Sequence, residues 1–298
     1  MIFCANHANQ FIDPCMIMSY CLQDIAFLIA KKSMSLPVVG WFAGKMKCIP
    51  VDRPQDLAKK GTGKLFIVSE TKIRGEGTQF KKEIMVGDTI KFEGSKLPEQ
   101  IVDMVISDTD IQLKAPGLKV SEAEMSKQYD FKVIPKVDQT HVFESVIERL
   151  IHGQPIGIFP EGGSHDRSEL LPIKAGVSIM ALGALAKDPN CKISIIACGL
   201  KYFKPHMFRS QVIVEFSTPY RIPQELVEKY KKNKRESCGE LLVQVEKKMR
   251  EVTLNAPSYK ELKQIYMARE IYMPSRRLEI EAKKKDGHSY TLEEINEI

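Results

Sequence analysis

The chain has 298 residues, 43% of them hydrophobic, so it can bury a substantial core in one large domain or in one domain with an insertion. Its 44 basic and 38 acidic residues leave a net charge of +6, which is mild for nucleic-acid binding but suits an anionic substrate or an anionic membrane surface. The seven cysteines form no CxxC pair, which favours free thiols in a reducing compartment over disulfides or a zinc site.

The first predicted element is a short strand, MIFCA, followed by the polar stretch HANQFIDP. The largely apolar stretch CMIMSYCLQDIAFLIAKK, which is interrupted by Gln23 and Asp24 and closed by Lys31 and Lys32, then predicts a helix from about Pro14 to Lys32. Two interpretations of this helix stay open: it is buried in the core, or it also offers an apolar face to a bilayer. No uninterrupted apolar run reaches the ~18 to 20 residues of a spanning helix. Because only MIFCA precedes the polar stretch, we expect further structure before the start of this sequence.

The sequence pattern in the middle of the chain changes from alternating helices and strands to short β-like runs. A short predicted strand at Lys47 to Val51 leads into Asp52 and Arg53. From about Pro54 to Lys136, short β-like runs are separated by glycine and proline, with little helical periodicity. This pattern predicts an inserted β-rich subdomain.

Strands and helices alternate after the insertion. A helix is predicted at DQTHVFESVIERLIHG, with Val142, Val146 and Leu150 on one apolar face and Gly153 at its end. The following predicted elements are the strand PIGIFP, the helix IKAGVSIMALGALA, and the strands KISIIACGL and QVIVEFS. The alternation predicts an α/β fold, a mixed sheet flanked by helices.

The predicted domain organisation has three parts. Residues 1–53 and 137–255 form the α/β core, residues 54–136 form the β-rich insertion, and residues 256–298 form a charged helical C-terminal tail. The last stretch of that tail, EAKKKDGHSYTLEEINEI, is expected to be solvated.

A candidate catalytic pair stands in the first polar stretch. A carboxylate that accepts from one nitrogen of a histidine leaves the other nitrogen free to take a proton, the minimum for a general base in one tautomer. His7 and Asp13 lie about 240° apart on an ideal helix, so they can touch only if the chain between them turns irregularly. The alternative is a structural Asn-rich turn in which Asp13 caps the next helix.

A candidate anion site lies in IFPEGGSHDR, from Ile158 to Arg167. An acid and two glycines between a strand and a helix expose backbone N–H groups, an arrangement suited to polar or phosphate-bearing ligands, and Arg167 and Lys174 add positive charge. A tight strand-to-helix connection without a ligand is the alternative. His165 and Asp166 offer a rival pair, but adjacent side chains point apart.

The third candidate is Arg53, in IPVDR, directly after a predicted strand. The planar guanidinium of arginine matches a phosphate group with parallel hydrogen bonds. A surface arginine without a partner is the alternative.

Four of these stretches, NHANQFIDP, GKMKCIPVDR, FPEGGSHDR and IIACGL, resemble in order and spacing the four sequence blocks of the glycerolipid acyltransferase superfamily. Through HANQF with its Asp-Pro, LLPIKAG and CGLKYFKPHMFRS, the chain most resembles the yeast-type glycerol-3-phosphate/dihydroxyacetone-phosphate acyltransferases. The resemblance runs from His7 to about Tyr272. Two departures stand out: five residues rather than four separate His7 from Asp13, as in the yeast-type subgroup, and Ala197 replaces a proline in the fourth block.

The resemblance implies residue roles. It makes His7 the general base that deprotonates the acceptor hydroxyl and Asp13 its orienting carboxylate. It places the phosphate and hydroxyls of the acceptor on Arg53, Glu161, Gly162, Gly163, Ser164 and Arg167. The implied co-substrate is acyl-CoA and the implied acceptor is the sn-1 hydroxyl of glycerol-3-phosphate or dihydroxyacetone phosphate. Neither a metal, another cofactor nor a covalent acyl-enzyme intermediate is expected.

The resemblance also implies a membrane setting, with lysophosphatidate made on the cytosolic face of the endoplasmic reticulum membrane, the lipid surface as a partner and no nucleic acid. Two alternatives stay open: a lysophospholipid acyltransferase, and an inactive module that binds lipid or acyl-CoA. We expect the insertion to lie at the rim of the site as a lid or docking surface; a β-subdomain without such a role is the alternative.

Overall fold

The computed structural model describes residues 1–21, 23–125, 127–203, 207, 211–269 and 271–272. The chain divides into two compact units, which are described separately. The first unit consists of Met1–Phe27 and Ser145–Ile298, and the second of Leu28–Glu144. The domain boundaries expected after residues 53, 136 and 255 stay predictions, and residues 273–298 of the predicted tail lie outside the described residues.

The helices and strands have the following bounds. The helices are α1 (Ile12–Tyr20), α2 (Lys31–Met34), α3 (Pro37–Lys45), α4 (Phe80–Glu83), α5 (Glu122–Met125), α6 (Thr140–Ile151), α7 (Gly176–Lys187), α8 (Gln224–Lys232) and α9 (Lys234–Val252), with a 3-10 turn at Pro54–Leu57. The strands are β1 (Ile2–Ala5), β2 (Ala26–Ala30), β3 (Ile49–Val51), β4 (Lys59–Lys60), β5 (Lys64–Ser69), β6 (Lys72–Glu76), β7 (Thr89–Phe92), β8 (Gln100–Val105), β9 (Asp110–Leu113), β10 (Phe131–Ile134), β11 (Ile156–Ile158), β12 (Ser194–Tyr202), β13 (Val212–Phe216) and β14 (Tyr220–Arg221). Residues 259–269 are also helical.

A mixed sheet forms the core of the first unit. Its strands lie in the order β13, β12, β1, β11 and β2; the last four are parallel, while β13 and β14 run antiparallel to β12. β1 is apolar and buried along its whole length, as expected of a central strand in a parallel sheet covered on both faces. Helices α7, α8 and α9 pack against one another, and α9 packs on β12 and β1. The predicted α/β class with a mixed sheet flanked by helices is confirmed.

The parallel strands bring two polar segments to one edge of this sheet. In the pairing of β1 with β11, Cys4 lies opposite Ile158, and β12 lies on the other side of β1. The chain leaves β1 towards His7 and leaves β11 towards the FPEGG turn. Because the carboxyl ends of parallel strands share one edge of a sheet, both segments meet there, as is common for ligand sites in α/β proteins.

The amphipathic helix predicted after the insertion is confirmed as α6. Val146 and Leu150 are buried and Val142 is half-buried. Gly153 has a φ of 78°, and its N–H donates to the carbonyl of Leu150 at 3.0 Å. This left-handed residue ends the helix where the sequence predicted, because glycine adopts that conformation without steric cost.

The helix predicted from Pro14 to Lys32 is wrong in its second half. α1 ends at Tyr20, and Ala26–Ala30 forms strand β2. Ala26 and Phe27 pair with β11 in the first unit. The run IAFLIA is continuously apolar, a pattern that buried parallel strands share with buried helices, so periodicity alone does not separate them. Among the described residues, no helix has both the length and the apolar character needed to cross a membrane.

The second unit contains an antiparallel barrel. Its strands lie in the order β4, β10, β7, β8, β9, β6 and β5. Two backbone hydrogen bonds between Leu65 and Tyr129, of 2.9 and 3.0 Å, join β5 to the residues before β10 and close the ring. The interior is apolar and includes Leu65, Phe80, Ile90, Ile111 and Phe131. The β-rich character predicted for residues 54–136 is confirmed, and the lid role of this segment stays a prediction.

The thiols also follow the sequence-based expectation. The seven cysteines all lie among the described residues, and none of them forms a disulfide. Burial raises the pKa of Cys4 to about 12, so this thiol is unreactive at neutral pH.

Candidate active site

His7 and Asp13 meet just after β1. Nδ1 of His7 lies 2.9 Å from Oδ2 of Asp13. Asn9 makes the turn between them: its Oδ1 accepts from the N–H groups of Phe11 and Ile12 at 3.3 and 3.2 Å. The N–H of Asp13 donates to the carbonyl of Asn9 at 3.2 Å. The irregular turn that the pair requires is therefore present, and the side chain of Asn9, not that of Asp13, accepts from N–H groups at the start of α1.

The carboxylate of Asp13 is fully buried and has three donors. Oδ2 accepts from Nδ1 of His7 and from the N–H of Asn9 at 2.8 Å, and Oδ1 accepts from the hydroxyl of Tyr202 at 2.5 Å. These hydrogen bonds compensate the cost of burying a carboxylate, and the N-terminal turn of α1 adds a favourable dipole. Because an ionised carboxylate only accepts, Nδ1 of His7 is the donor in this pair, and in the neutral imidazole Nε2 then carries the lone pair.

Sequence reasoning missed Tyr202, the last residue of β12. Burial, followed by the hydrogen bond to Asp13 and the charge of that carboxylate, raises the pKa of Tyr202 well above its usual value. The hydroxyl therefore stays protonated and keeps donating at neutral pH. The available signal was its place two residues after the predicted strand KISIIACGL, within the stretch CGLKYFKPHMFRS that the chain shares with the yeast-type enzymes.

Contacts on the ring and the main chain hold His7 in place. Its imidazole stacks on the ring of Phe159, with centroids 4.1 Å apart and planes inclined by 16°. Its N–H donates to Oε1 of Glu161 at 3.1 Å, and its carbonyl accepts from the N–H of His165 at 2.9 Å. The loop after β1 is thus fastened to the turn after β11 on both sides of the candidate base.

Hydrogen bonds of Glu161 and His165 stabilise the turn after β11 from within. The buried carboxylate of Glu161 also accepts from the N–H of Leu171 at 2.8 Å and from Nε2 of His165. Nδ1 of His165 accepts from the N–H of Arg167 at 3.2 Å, so both ring nitrogens are engaged. His165 therefore pairs with Glu161 and not with Asp166. The role of Glu161 in substrate binding stays a prediction, because all these contacts lie within the protein.

The other candidate ligand-binding residues of this turn, Gly162, Gly163, Ser164 and Arg167, are less buried than Glu161. Gly162 has a φ of 81°, and a side chain there would also collide with Nζ of Lys174. Nothing lies within 4 Å of the place where a Cβ of Gly163 would stand. Ser164 and Arg167 are exposed. The turn thus offers a free surface to a ligand, and the binding roles of these residues stay predictions.

Arg53 belongs to the second unit and has a partner there. Its Nε and Nη2 donate to Oδ2 and Oδ1 of Asp56 at 2.7 and 3.0 Å. The alternative of a partnerless surface arginine is therefore wrong. Its phosphate-binding role stays a prediction, and a phosphate would have to compete with the carboxylate of Asp56.

A groove of about 560 Å³ opens at His7 within the first unit. Its polar lining includes His7, His165, Asp166 and Arg167. Its apolar lining comes from the end of β12, from Leu254 and from the helical segment 259–269. In the part of the chain that the structure describes, no three or more His, Cys, Asp or Glu side chains cluster as metal ligands.

Two side chains fix β12 beside the site. The amide of Asn6 bonds the backbone of Leu200 twice, donating to its carbonyl at 3.0 Å and accepting from its N–H at 2.7 Å. The N–H of the buried Ala197 donates to Oγ of Ser217 at 2.9 Å. Ala197 stands where the resemblance leads one to expect proline, so Ser217 satisfies an N–H that proline would lack.

Comparison with known proteins agrees with this arrangement. The sequence profile of the family described as Acyltransferase matches residues 1–78 and 125–201, which include His7, Asp13 and Glu161. The chain belongs to the acyltransferase family.

This acyltransferase has curated relatives in yeasts. It is 38% identical over 285 residues to glycerol-3-phosphate O-acyltransferase 1 of Saccharomyces cerevisiae, covering 90% of this chain and 37% of the relative. Glycerol-3-phosphate O-acyltransferase 2 of the same organism is 36% identical over 302 residues, covering 92% and 40%. An uncharacterized acyltransferase of Schizosaccharomyces pombe is 40% identical over 286 residues, covering 92% and 42%.

These matches confirm the resemblance to the yeast-type enzymes. The chain spans about two fifths of the length of these curated relatives. No solved structure matches the chain of this acyltransferase.

Proposed function

We propose that this acyltransferase transfers a fatty acyl group from acyl-CoA to the sn-1 hydroxyl of glycerol-3-phosphate or dihydroxyacetone phosphate, a step of glycerolipid synthesis. The observation that carries the proposal is the buried carboxylate of Asp13, which fixes the tautomer of His7 at a groove that also holds an exposed arginine. The names of the two relatives from Saccharomyces cerevisiae support this choice of acceptor.

The proposed chemistry needs one base. Nε2 of His7 takes the proton of the acceptor hydroxyl while its oxygen attacks the thioester carbon of acyl-CoA. The C–O bond forms, the tetrahedral intermediate collapses with cleavage of the C–S bond, and the leaving CoA thiolate receives the proton from His7. Asp13 stabilises the intervening imidazolium, as the carboxylate does in other acid–histidine pairs. The proposed reaction uses no metal, prosthetic group or acyl-enzyme.

Arg167 is the residue we assign to the phosphate of the acceptor. It is exposed, it lines the same groove as His7, and its guanidinium can hold a phosphate with two parallel hydrogen bonds. Gly163 and Ser164 lie nearby in the chain with room for the hydroxyl groups of the acceptor.

The proposed location is the cytosolic face of the endoplasmic reticulum membrane, with the lipid surface as a partner. Helix α3 supports contact with a bilayer, because it buries only Ala43. Leu36, Val38, Trp41 and Phe42 expose between 41% and 67% of their surface at this helix. Lysines at 31, 32, 45 and 47 surround this apolar face in the sequence, a composition typical of helices that lie in the interface of anionic membranes.

The decisive experiment measures the release of free CoA thiol from palmitoyl-CoA by the purified chain in detergent or liposomes, with and without glycerol-3-phosphate. We expect turnover that requires the acceptor and falls by ~10² or more in His7→Ala, the scale of general base catalysis. Turnover with lysophosphatidate as the preferred acceptor would replace the proposal with a lysophospholipid acyltransferase. Binding of palmitoyl-CoA without turnover would replace it with a binding module.

A further inference from the structure

The groove continues from His7 along an apolar surface formed late in the chain. Tyr259, Leu262, Tyr266 and Met267, all in the helical segment 259–269, line it, and we call these four residues the C-terminal wall. Leu200 and Phe203, at and just beyond the end of β12, line the same groove. None of these side chains has a role in the proton transfer or the phosphate binding proposed above.

The C-terminal wall is attached to the site. The N–H of Ala256 donates to the carbonyl of Ser168 at 2.9 Å, and the N–H of Leu170 donates to Oδ1 of Asn255 at 3.1 Å. These bonds connect the chain before the helical segment with the turn that carries Arg167. Leu262 is only 7% exposed, so this part of the predicted charged tail packs on the first unit.

A second attachment lies towards β12. The ring of Tyr266 meets the ring of Phe203 edge to face, with centroids 5.6 Å apart. The guanidinium of Arg269 lies 3.5 Å from the centroid of Phe203. Phe203 follows Tyr202, whose hydroxyl holds Asp13. The apolar surface is therefore continuous with the residues that orient the candidate base.

We propose that this groove binds the aliphatic chain of the acyl donor and that the C-terminal wall determines which chain lengths are accepted. The inference rests on the proposed function, because a thioester attacked at His7 must extend its chain away from that residue. The groove begins at His7 and has an apolar lining, and burial of methylene groups against that lining is favourable. The polar acceptor gains nothing from such a lining.

The test is a substitution that places a larger side chain of the C-terminal wall in the groove. In Met267→Trp the larger side chain occupies space that a long acyl chain would use. We expect kcat/KM for palmitoyl-CoA to fall by about tenfold, which corresponds to the loss of about two buried methylene groups. The value for octanoyl-CoA should stay within about twofold of the wild type, because a short chain ends before the obstruction.

Ile265→Trp is the matched control. Ile265 lies on the same helical segment, is 41% exposed and does not line the groove. Two residues along a helix differ by about 200°, so the added indole points elsewhere. The proposal is wrong if the chain-length profile of Met267→Trp equals that of the wild type, or if Ile265→Trp changes it equally.

A second measurement does not depend on turnover. A palmitoyl-CoA analogue with a photoreactive diazirine near the end of its chain should label the segment 254–269 of the wild-type protein, and Met267→Trp should lose most of this label. Labelling confined to α3 or to other segments would overturn the assignment even if the enzyme transfers acyl groups. Labelling of 254–269 without any turnover would support the assignment of the groove to the acyl chain and contradict the proposed acyltransferase function.

Discussion

The hydroxyl of Tyr202 donates to Oδ1 of Asp13 at 2.5 Å, so the carboxylate beside the candidate base is held from strand β12 as well as from its own loop. The two residues are 189 positions apart in the chain. Because β12 and β1 are paired in parallel, this contact couples the orientation of His7 to the sheet itself.

Tyr202→Phe should lower kcat and leave KM for both substrates unchanged. A hydrogen bond to a charged group contributes about 1.5–3 kcal/mol, and losing part of this should cost about tenfold in kcat. Steady-state kinetics with thermal unfolding on the same samples separates the effect from misfolding. Tyr20→Phe, at a 61% exposed tyrosine, is the control and should behave as the wild type. An unchanged kcat in Tyr202→Phe would show that Asp13 needs only its other two donors.

Glu161→Gln should destabilise the first unit as well as reduce turnover. The carboxylate accepts from the N–H groups of His7 and Leu171 and from His165, and an amide cannot accept from all of them. We expect a loss of about 1–3 kcal/mol in the free energy of unfolding, the cost of a buried donor without a partner. Denaturant unfolding measures it, with the exposed Glu169→Gln as the control. A free energy of unfolding equal to that of the wild type, together with a raised KM for glycerol-3-phosphate, would instead show that Glu161 binds the substrate.

Arg167→Ala should raise KM for glycerol-3-phosphate by about tenfold or more and leave KM for palmitoyl-CoA unchanged, because a charge-assisted pair with the phosphate is lost. Arg167→Lys should recover part of the affinity, since the ammonium keeps the charge without the planar fork. Initial rates over a range of acceptor concentrations give these values. Arg221→Ala, at an exposed arginine in β14, is the control. If only Arg53→Ala raises KM, the phosphate site belongs to Arg53.

Ser217→Ala should lower the free energy of unfolding by about 1–3 kcal/mol, because the N–H of the buried Ala197 loses its acceptor. In an Ala197→Pro background the same change should cost less than about 0.5 kcal/mol, since no N–H remains to be satisfied. A double-mutant cycle by denaturant unfolding gives both values. Equal costs of Ser217→Ala in the two backgrounds would show that the hydroxyl acts through another contact.

The single tryptophan of the chain, Trp41, makes membrane contact directly measurable. Its emission should shift to the blue with vesicles that contain anionic lipid, less so with zwitterionic vesicles or at high salt. Trp41→Ser should reduce co-sedimentation with the anionic vesicles. Met85→Ser, at a 76% exposed apolar residue outside α3, should not. Unchanged emission would contradict the assignment of α3 to the lipid surface.

The fold class and the acid–histidine pair could be predicted because both follow from local chemistry. Alternating apolar runs predict an α/β sheet, and a histidine near an aspartate in a polar loop predicts a base with its orienter. Strand β2 could not be predicted, because the short apolar run after Gln23 and Asp24 fits a buried helix as well as a buried strand, and only its pairing with β11 decides between them. Neighbouring strands, rather than propensity, decide that segment.

The roles within the site were harder to predict than its position. The sequence places Glu161 in a turn suited to ligands, but the burial that engages it with the backbone of His7 comes from the tertiary fold. Tyr202 lies in the stretch CGLKYFKPHMFRS, but that stretch alone does not indicate its role, and only the parallel pairing of β12 with β1 brings it to Asp13. Long-range contacts of this kind leave no local pattern in a single sequence.

The main chain of His7 is fastened to Glu161 and to His165 independently of its imidazole. A variant such as His7→Ala therefore keeps the backbone bonds that shape the loop, while it loses the proton acceptor and the contacts of the ring with Phe159 and Asp13. Such a protein should bind both substrates side by side and consume them at most about a hundredth as fast as the wild type. It is accordingly the form of choice for trapping a ternary complex and seeing the acyl donor and the acceptor together.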